Sequence, residues 1–216
     1  MKNLKVYAGM ATCKGREEAV KDAIESIKSQ VDYLSVYDNT KSPDIGDAGK
    51  FSFLRRLLGE DAIYLSLDDD LIYPPDYVKE IRAWFKYNEK NDNKPFHILS
   101  FHGRTLISYP AKDYYSDPCS VRVRCLGDGI GQDVEVGGTG VMAFKCNLFK
   151  ELPTFEKKNA ADIAIAGYAK RNGWRIYAAP HKAGWIKHTD KIDLKETIYF
   201  TADRKEITEY YNKVMK

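Results

Sequence analysis

The stretch Ala62-Ile-Tyr-Leu-Ser-Leu-Asp-Asp-Asp-Leu-Ile-Tyr-Pro-Pro75 constrains the fold of this chain more than any other. A strand-like run, Ala62 to Leu67, ends abruptly in three consecutive carboxylates, Asp68, Asp69 and Asp70. Side chains alternate along an extended chain, so Asp68 and Asp70 are expected on one side of the strand end and Asp69 on the other. The result is an Asp-x-Asp pair. Two carboxylates so close repel unless a cation or a set of donors lies between them, which suggests a divalent metal or a sugar-nucleotide contact. The plainer reading is a solvated turn. Against it, charged turns seldom follow an apolar strand directly and lead into Pro-Pro at a helix start.

A chain of 216 residues is long enough for one large α/β domain and short for two catalytic ones, so a single domain over 1–216 is expected. Lys plus Arg number 34 against 31 Asp plus Glu, leaving no strong field to draw nucleic acid or an anionic membrane. A phosphate-bearing small ligand stays compatible. The start, Met1-Lys-Asn-Leu-Lys-Val, enters a strand pattern without an apolar signal core, and no stretch approaches the ~18 apolar residues of a membrane span. Cys13, Cys119, Cys125 and Cys146 show neither Cys-x-x-Cys spacing nor the density of a disulfide scaffold, which fits a reducing compartment and argues against structural zinc.

Strands and helices alternate along the chain. Lys5 to Met10 reads as a strand, Ala11 to Arg16 as a turn, and Glu17 to Gln30 as a helix with Ala19, Ala23, Ile24 and Ile27 at helical spacing. Val31 to Tyr37 gives a second strand ending at Asp38-Asn39, and Lys50 to Leu58 looks helical. The third strand carries the Asp triplet; Asp76 to Asn88 is an amphipathic helix through Tyr77, Val78, Ile81, Trp84 and Phe85, and His97 to Phe101 is a fourth strand. This alternation predicts a mainly parallel, doubly wound sheet.

From His102 to Ser120 the pattern is lost, in a polar stretch too long for a simple connection; such loops are usually disordered or functional. Val121 to Leu126 alternates like a strand, and Val134 to Lys145 reads as another containing Gly137-Gly-Thr-Gly140. Clustered glycines there admit a closely approaching backbone or ligand, or a sharp bulge. Ala160 to Asn172 is a helix, Trp174 to Ala178 a last strand, His181 to His188 a basic, Trp-containing loop, and the remainder polar and helical.

The strand-end Asp68-Asp-Asp70, the Thr12 to Arg16 loop after strand one, Asp38 after strand two, the Gly137 to Gly140 strand, the Asp162 helix and the late His188 occur in one order. Together they resemble the GT-A fold glycosyltransferases, the family 2-like nucleotide-sugar transferases, over about Lys5 to His188. The compact size and the Met10-Ala-Thr start are also similar to the small GT-A domains of capsid-glycosylating enzymes from large algal viruses. The resemblance implies a Rossmann-like nucleotide-binding fold and transfer of a sugar from a UDP-sugar donor to a hydroxyl on a glycan or glycoprotein. It implies Mn²⁺ or Mg²⁺ as the cofactor, and a cytoplasmic protein, in host cytoplasm if the chain is viral. Nucleic acid and a membrane span are not expected.

Carried over residue by residue, the resemblance makes Asp70 a metal ligand and Asp68 a contact to ribose or to the metal through water, with His188 completing the shell and His181 as the fallback. Thr12, Arg16, Asp38, Lys50, Asp68 and Asp69 would surround the nucleotide, Asp38 accepting the uracil imide hydrogen. Each has a plainer reading: Thr12 as a turn or cap residue, Arg16 as a solvated helix start, Asp38 as a loop acceptor, His188 as a surface histidine. The Gly46 to Phe51 segment around Lys50 is no P-loop, since Ile45 lies four before Gly49 and Phe51 replaces the required Ser or Thr.

An inverting transferase needs a carboxylate base opposite the leaving diphosphate, and Asp162 in Asn159-Ala-Ala-Asp-Ile-Ala matches the family position, although the usual Glu-Asp pair is reduced to Ala161-Asp162. An Asp in a first helical turn is also favoured by the helix dipole alone. Two other functions compete. A nucleotidyltransferase forming nucleotide sugars would share the sheet and the carboxylates, but normally shows a glycine-rich basic loop after strand one, where Ala11 to Gly15 has one glycine and one lysine. A non-catalytic carbohydrate- or Ca²⁺-binding module would need only the tyrosines and the Asp triplet.

Overall fold

A computed structural model of the chain describes residues 4–90, 94–193, 195 and 197–216. The strands are β1 (Lys5–Thr12), β2 (Tyr33–Asp38), β3 (Ala62–Asp68), β4 (Leu71–Ile72), β5 (Ile98–Ser100), β6 (Gly103–Leu106), β7 (Cys119–Val123), β8 (Gln132–Val134), β9 (Val136–Gly137), β10 (Val141–Lys145), β11 (Ile176–Ala178) and β12 (Lys187–His188). The helices are α1 (Glu17–Ile27), α2 (Tyr77–Lys90), α3 (Ala161–Arg171), α4 (Ile198–Thr201) and α5 (Arg204–Val214). No helix among the described residues is long and apolar enough to cross a membrane.

Seven strands form the central sheet in the order β2-β1-β3-β10-β5-β11-β8. β1 pairs parallel with β2 and β3, and β11 parallel with β5, while β10 and β8 run antiparallel to their neighbours. The sheet is therefore mainly parallel and flanked by helices, consistent with a Rossmann-like fold. β3 is buried from Ala62 to Leu67 because both faces of a central strand are covered. Ile63, Leu65 and Leu67 join a core with Ala23 and Ile27 of α1 and Val78, Ile81 and Phe85 of α2. Ala62 and Tyr64 join a second core with Phe144 of β10, Ile163 and Ile165 of α3, and Ile207 and Tyr211 of α5. α3 is nearly apolar all round, as a helix packed between a sheet and α5 requires.

Four expectations from the sequence are corrected. Lys50 to Leu58 is not a helix; the chain there makes two short 3₁₀ turns, Gly46–Phe51 and Leu54–Arg56. Asn39 fixes the first by accepting from the amides of Ile45 (3.0 Å) and Gly46 (3.1 Å), and Tyr64 Oη donates to the Lys50 carbonyl at 2.5 Å. The segment 102–120 is not irregular throughout, since β6 lies in it and pairs antiparallel with β7 and β9 in a three-stranded sheet. The run 134–145 is three strands rather than one, because the chain leaves the edge of the large sheet at Glu135 for the small sheet and turns at Gly138 to Gly140 to the centre of the large one. β11 is not the last strand, for β12 follows and pairs with β4.

Candidate active site

The parallel strands β1 and β3 deliver their carboxyl ends side by side, with Ala11 in register with Asp68. An α/β sheet opens its binding crevice at such an edge. Strand geometry ends at Asp68, and Asp69 and Asp70 form a turn. Alternation therefore stops at Asp68 instead of running on through Asp70, and the carboxylates divide differently. Arg16, in the turn between β1 and α1, places Nη1 2.9 Å from Asp70 Oδ2 and 3.6 Å from Asp69 Oδ1, while Asp68 pairs with Lys50. Arg16 is thus not a solvated helix start. Its side chain is only 11% exposed.

Lys50 is buried, and its Nζ also lies 3.4 Å from Thr139 Oγ1. Asp68 is the most open of the three carboxylates, with 35% of its side chain exposed against 15% for Asp70 and 12% for Asp69. Its backbone amide donates to Tyr73 Oη at 2.7 Å, and Tyr73 Oη donates to the Gly140 carbonyl at 2.8 Å. The strand end is so pinned to the start of β10. A Cβ at position 140 would collide with Asp68 Oδ2, and one at position 138 would press on His102. The glycine cluster thus serves close approach of neighbouring residues.

His188 reaches the same turn through β12, where it pairs with Leu71, and the Thr189 amide donates to the Asp70 carbonyl at 2.9 Å. His188 Nδ1 lies 2.6 Å from the Thr189 carbonyl, which can only accept, so Nδ1 carries the hydrogen. Nε2 is buried without a hydrogen-bond partner, 3.8 Å from Asp70 Oδ2. Burial pushes the Asp70 carboxyl up, but His188 and Arg16 outweigh it and the net displacement is downward. Burial pushes Asp69 up to about 6, against the pull of the Thr12 hydroxyl and Arg16.

Other expected residues fall differently. Asp38 stands at the end of β2 in register with Thr12, but its carboxylate accepts from the Thr40 amide at 2.9 Å and pairs with Lys41 at 2.8 Å. Lys41 and Thr40 hold its carboxyl down at about 2. His181 faces two backbone carbonyls, Ala179 at 3.0 Å and Arg124 at 3.1 Å. Neither nitrogen is turned to the carboxylates.

Asp162 lies in the first turn of α3, where Oδ2 accepts from Tyr114 Oη at 2.9 Å. Burial pushes its carboxyl up, with Tyr114, Arg104, the Ile163 amide and Lys50 opposing. Asp47, which the sequence did not single out, accepts from the Ala161 amide at 3.0 Å and so caps α3. Its other oxygen, Oδ1, is buried without a hydrogen-bond partner, and burial pushes the carboxyl up to about 6. Lys50 acts on both Asp47 and Asp162, so the strand-end carboxylates and the head of α3 share one electrostatic neighbourhood. Tyr73 and Tyr114 were equally invisible in sequence, where no local pattern marks a tyrosine whose hydroxyl pins a strand end, as Tyr73 does, or supports a carboxylate, as Tyr114 does.

Among the described residues no group of three or more His, Cys, Asp or Glu side chains converges as a ready cation cage. Asp70 and the unpartnered His188 Nε2 nonetheless fit one edge of a Mn²⁺ or Mg²⁺ shell, since Mg²⁺ is commonly held by one or two protein ligands plus substrate phosphates.

No protein-family model and no curated protein sequence matches the chain. Among solved structures it is similar to A197 from STIV, at 16% identity and a TM-score of 0.46 over 88% of this chain and 87% of that one. It is also similar to the inositol-1-phosphate CTP transferase from T. maritima, at 14% identity and a TM-score of 0.39 over 95% of this chain and 76% of that one. Both TM-scores are too low for either likeness to bear on activity.

Proposed function

We propose that the chain is a metal-dependent glycosyltransferase of the GT-A kind, moving a sugar from a UDP-sugar to a hydroxyl on a glycan or glycoprotein. The observation that carries this reading is the strand-end turn in which Asp70 is approached by Arg16 on one side and by the unpartnered His188 Nε2 on the other. Asp70 and His188 would hold the cation, with Asp68, a third open to water, turned toward the ribose or the cation's water. When bound, Mn²⁺ or Mg²⁺ would neutralise the charge that develops on the leaving diphosphate. Arg16 and Lys50, the cations already beside these carboxylates, supply further positive charge for a diphosphate. Thr12 and Asp69 line the same strand ends; Asp38 would have to release Thr40 and Lys41 to read a base.

In the transfer step the acceptor oxygen bonds to the anomeric carbon as the bond from that carbon to the diphosphate oxygen breaks, the electron pair leaving with UDP. The acceptor's proton goes to Asp162, whose raised basicity suits it to the task. The four free cysteines suit a reducing compartment such as the cytoplasm. A thermal-shift screen of nucleotide sugars with and without Mn²⁺ tests the reading, because a ligand that binds only the folded state raises the melting temperature. Stabilisation by UDP-sugars that requires Mn²⁺ supports it. Stabilisation by cytidine or adenosine nucleotides alone, or by none, contradicts it.

A further inference from the structure

The three-stranded sheet carries a face that the transfer chemistry above does not use. In the β6–β7 register Arg104 lies opposite Arg122, and Gly103 opposite Val123. Just beyond the two strands the chain stays close, with the Cys125 amide 3.4 Å from His102 Nδ1. Arg104 and Arg122, directly opposite each other, share one face while Val123 is buried on the other, and Arg124 follows β7 immediately and is exposed like Arg122.

Like charges directly opposite each other across two strands repel. Among the described residues the arginines that form ion pairs with carboxylates are Arg16, Arg175 and Arg204, and none belongs to this face. Arg104 is held instead by the Tyr114 carbonyl at 3.1 Å and by the Tyr114 ring, 4.7 Å below its guanidinium carbon. Arg122 donates to Cys119 Sγ at 3.2 Å, and Arg122 and Arg124 are both exposed. The field on this side is positive: burial, then Arg104, Arg122, Arg124 and His181, push the His102 imidazole down to about 4. Asp162 acts on Arg104 from the head of α3, but no carboxylate forms an ion pair with Arg104, Arg122 or Arg124 among the described residues, and guanidinium forks so concentrated make a site for an oxyanion.

Its position links it to the candidate active site. Arg104 packs on Tyr114, which donates to Asp162, and Cys125, just beyond Arg124, lies in the field of Asp68 and Asp70.

We infer that the face formed by Arg104, Arg122 and Arg124 binds a phosphate, sulfate or carboxylate carried by the hydroxyl acceptor, and so selects an acidic acceptor over a neutral one. That the acceptor carries the anion rests on the transferase reading; the anion site itself does not. The donor's diphosphate has the same chemistry, and the test separates the two sources.

Calorimetric titration of the wild type and of an Arg122→Gln/Arg124→Gln variant, whose changes are on exposed side chains, uses glucose phosphate, glucuronate and glucose as probes, and UDP with Mn²⁺ as the donor arm. The expected result is that both acidic sugars bind the wild type at least ~10-fold more tightly than glucose, that the preference falls about tenfold in the variant and weakens with added salt, and that UDP affinity is the same in both proteins. Equal binding of acidic and neutral sugars, or no binding of any at about 10 mM, overturns the inference. So does a parallel loss of UDP affinity in the variant, which would assign the face to the donor. Acidic sugars bound and lost as expected, with no UDP binding by the wild type, would uphold the anion site and overturn the transferase reading instead.

Discussion

Tyr114 Oη donates to Asp162 Oδ2 at 2.9 Å, so the segment between β6 and β7 meets the first turn of α3 over a single carboxylate. Burial raises that carboxyl's affinity for a proton, and the tyrosine's donated hydrogen bond partly restrains it. A base so placed is more basic than an ordinary aspartate and is oriented by a residue with no acid-base role of its own.

The first prediction concerns this pair. Asp162→Asn keeps the size of the side chain but cannot take a proton, so UDP affinity should hold while transfer falls by roughly 10² to 10⁴. The base must be ionised to act, so wild-type transfer should rise with pH along a limb above the ordinary aspartate range. Tyr114→Phe removes a donor that favours the charged form, and should move that limb to higher pH. A pH–rate profile unchanged in Tyr114→Phe would remove the pair from the mechanism.

Gly140→Ala should act on Asp68 alone. The new methyl group meets the far end of the Asp68 side chain rather than backbone, so the carboxylate can swing away without disturbing the sheet. The melting temperature should stay within a few degrees of wild type while Mn²⁺-dependent UDP affinity falls. Loss of stability with affinity retained would show that Asp68 stands outside the ligand site.

Asp47 should leave a signature in the pH dependence of stability. Its carboxyl is pushed up to about 6 from the ordinary value of 3.8, so the folded state binds the proton more tightly than the unfolded state does. Its contribution therefore falls as pH rises from about 4 to about 6, then levels off at a cost on the order of 2–3 kcal/mol. Asp47→Asn retains an acceptor for the Ala161 amide and removes the charge. Urea unfolding from pH 4 to 8 should show the variant gaining on the wild type across that window. Parallel curves would mean that Asp47 ionises normally in the fold.

The carboxyl-end edge of the sheet was legible because its signals are local. The apolar run from Ala62 to Leu67, ending in Asp68, Asp69 and Asp70, marks a buried central strand and its exit within a few residues of chain. The helix periodicities of α1 and α2 are equally local. What sequence could not show depends on partners far apart in the chain. Asp47 caps a helix that begins 114 residues later, and Tyr114 supports a carboxylate 48 residues away. β6 was hidden because its pairing with β9 is non-local and its own residues, Gly103-Arg-Thr-Leu106, do not alternate apolar with polar. The alternation argument itself failed at Asp69, since a period of two holds only while the chain is extended, and the chain turns there.

The central claim is that the turn after β3 is where a divalent cation and a uridine diphosphate bind together. Calorimetric titration of UDP, with and without Mn²⁺, into the wild type, Asp70→Ala and Asp69→Ala tests it most directly. Wild-type protein should bind UDP saturably only with Mn²⁺, Asp70→Ala should lose at least ~100-fold in affinity, and Asp69→Ala no more than a few-fold, because Asp70 is the carboxylate that His188 Nε2 approaches. UDP affinity that is indifferent to Mn²⁺ and unchanged in Asp70→Ala would contradict the account.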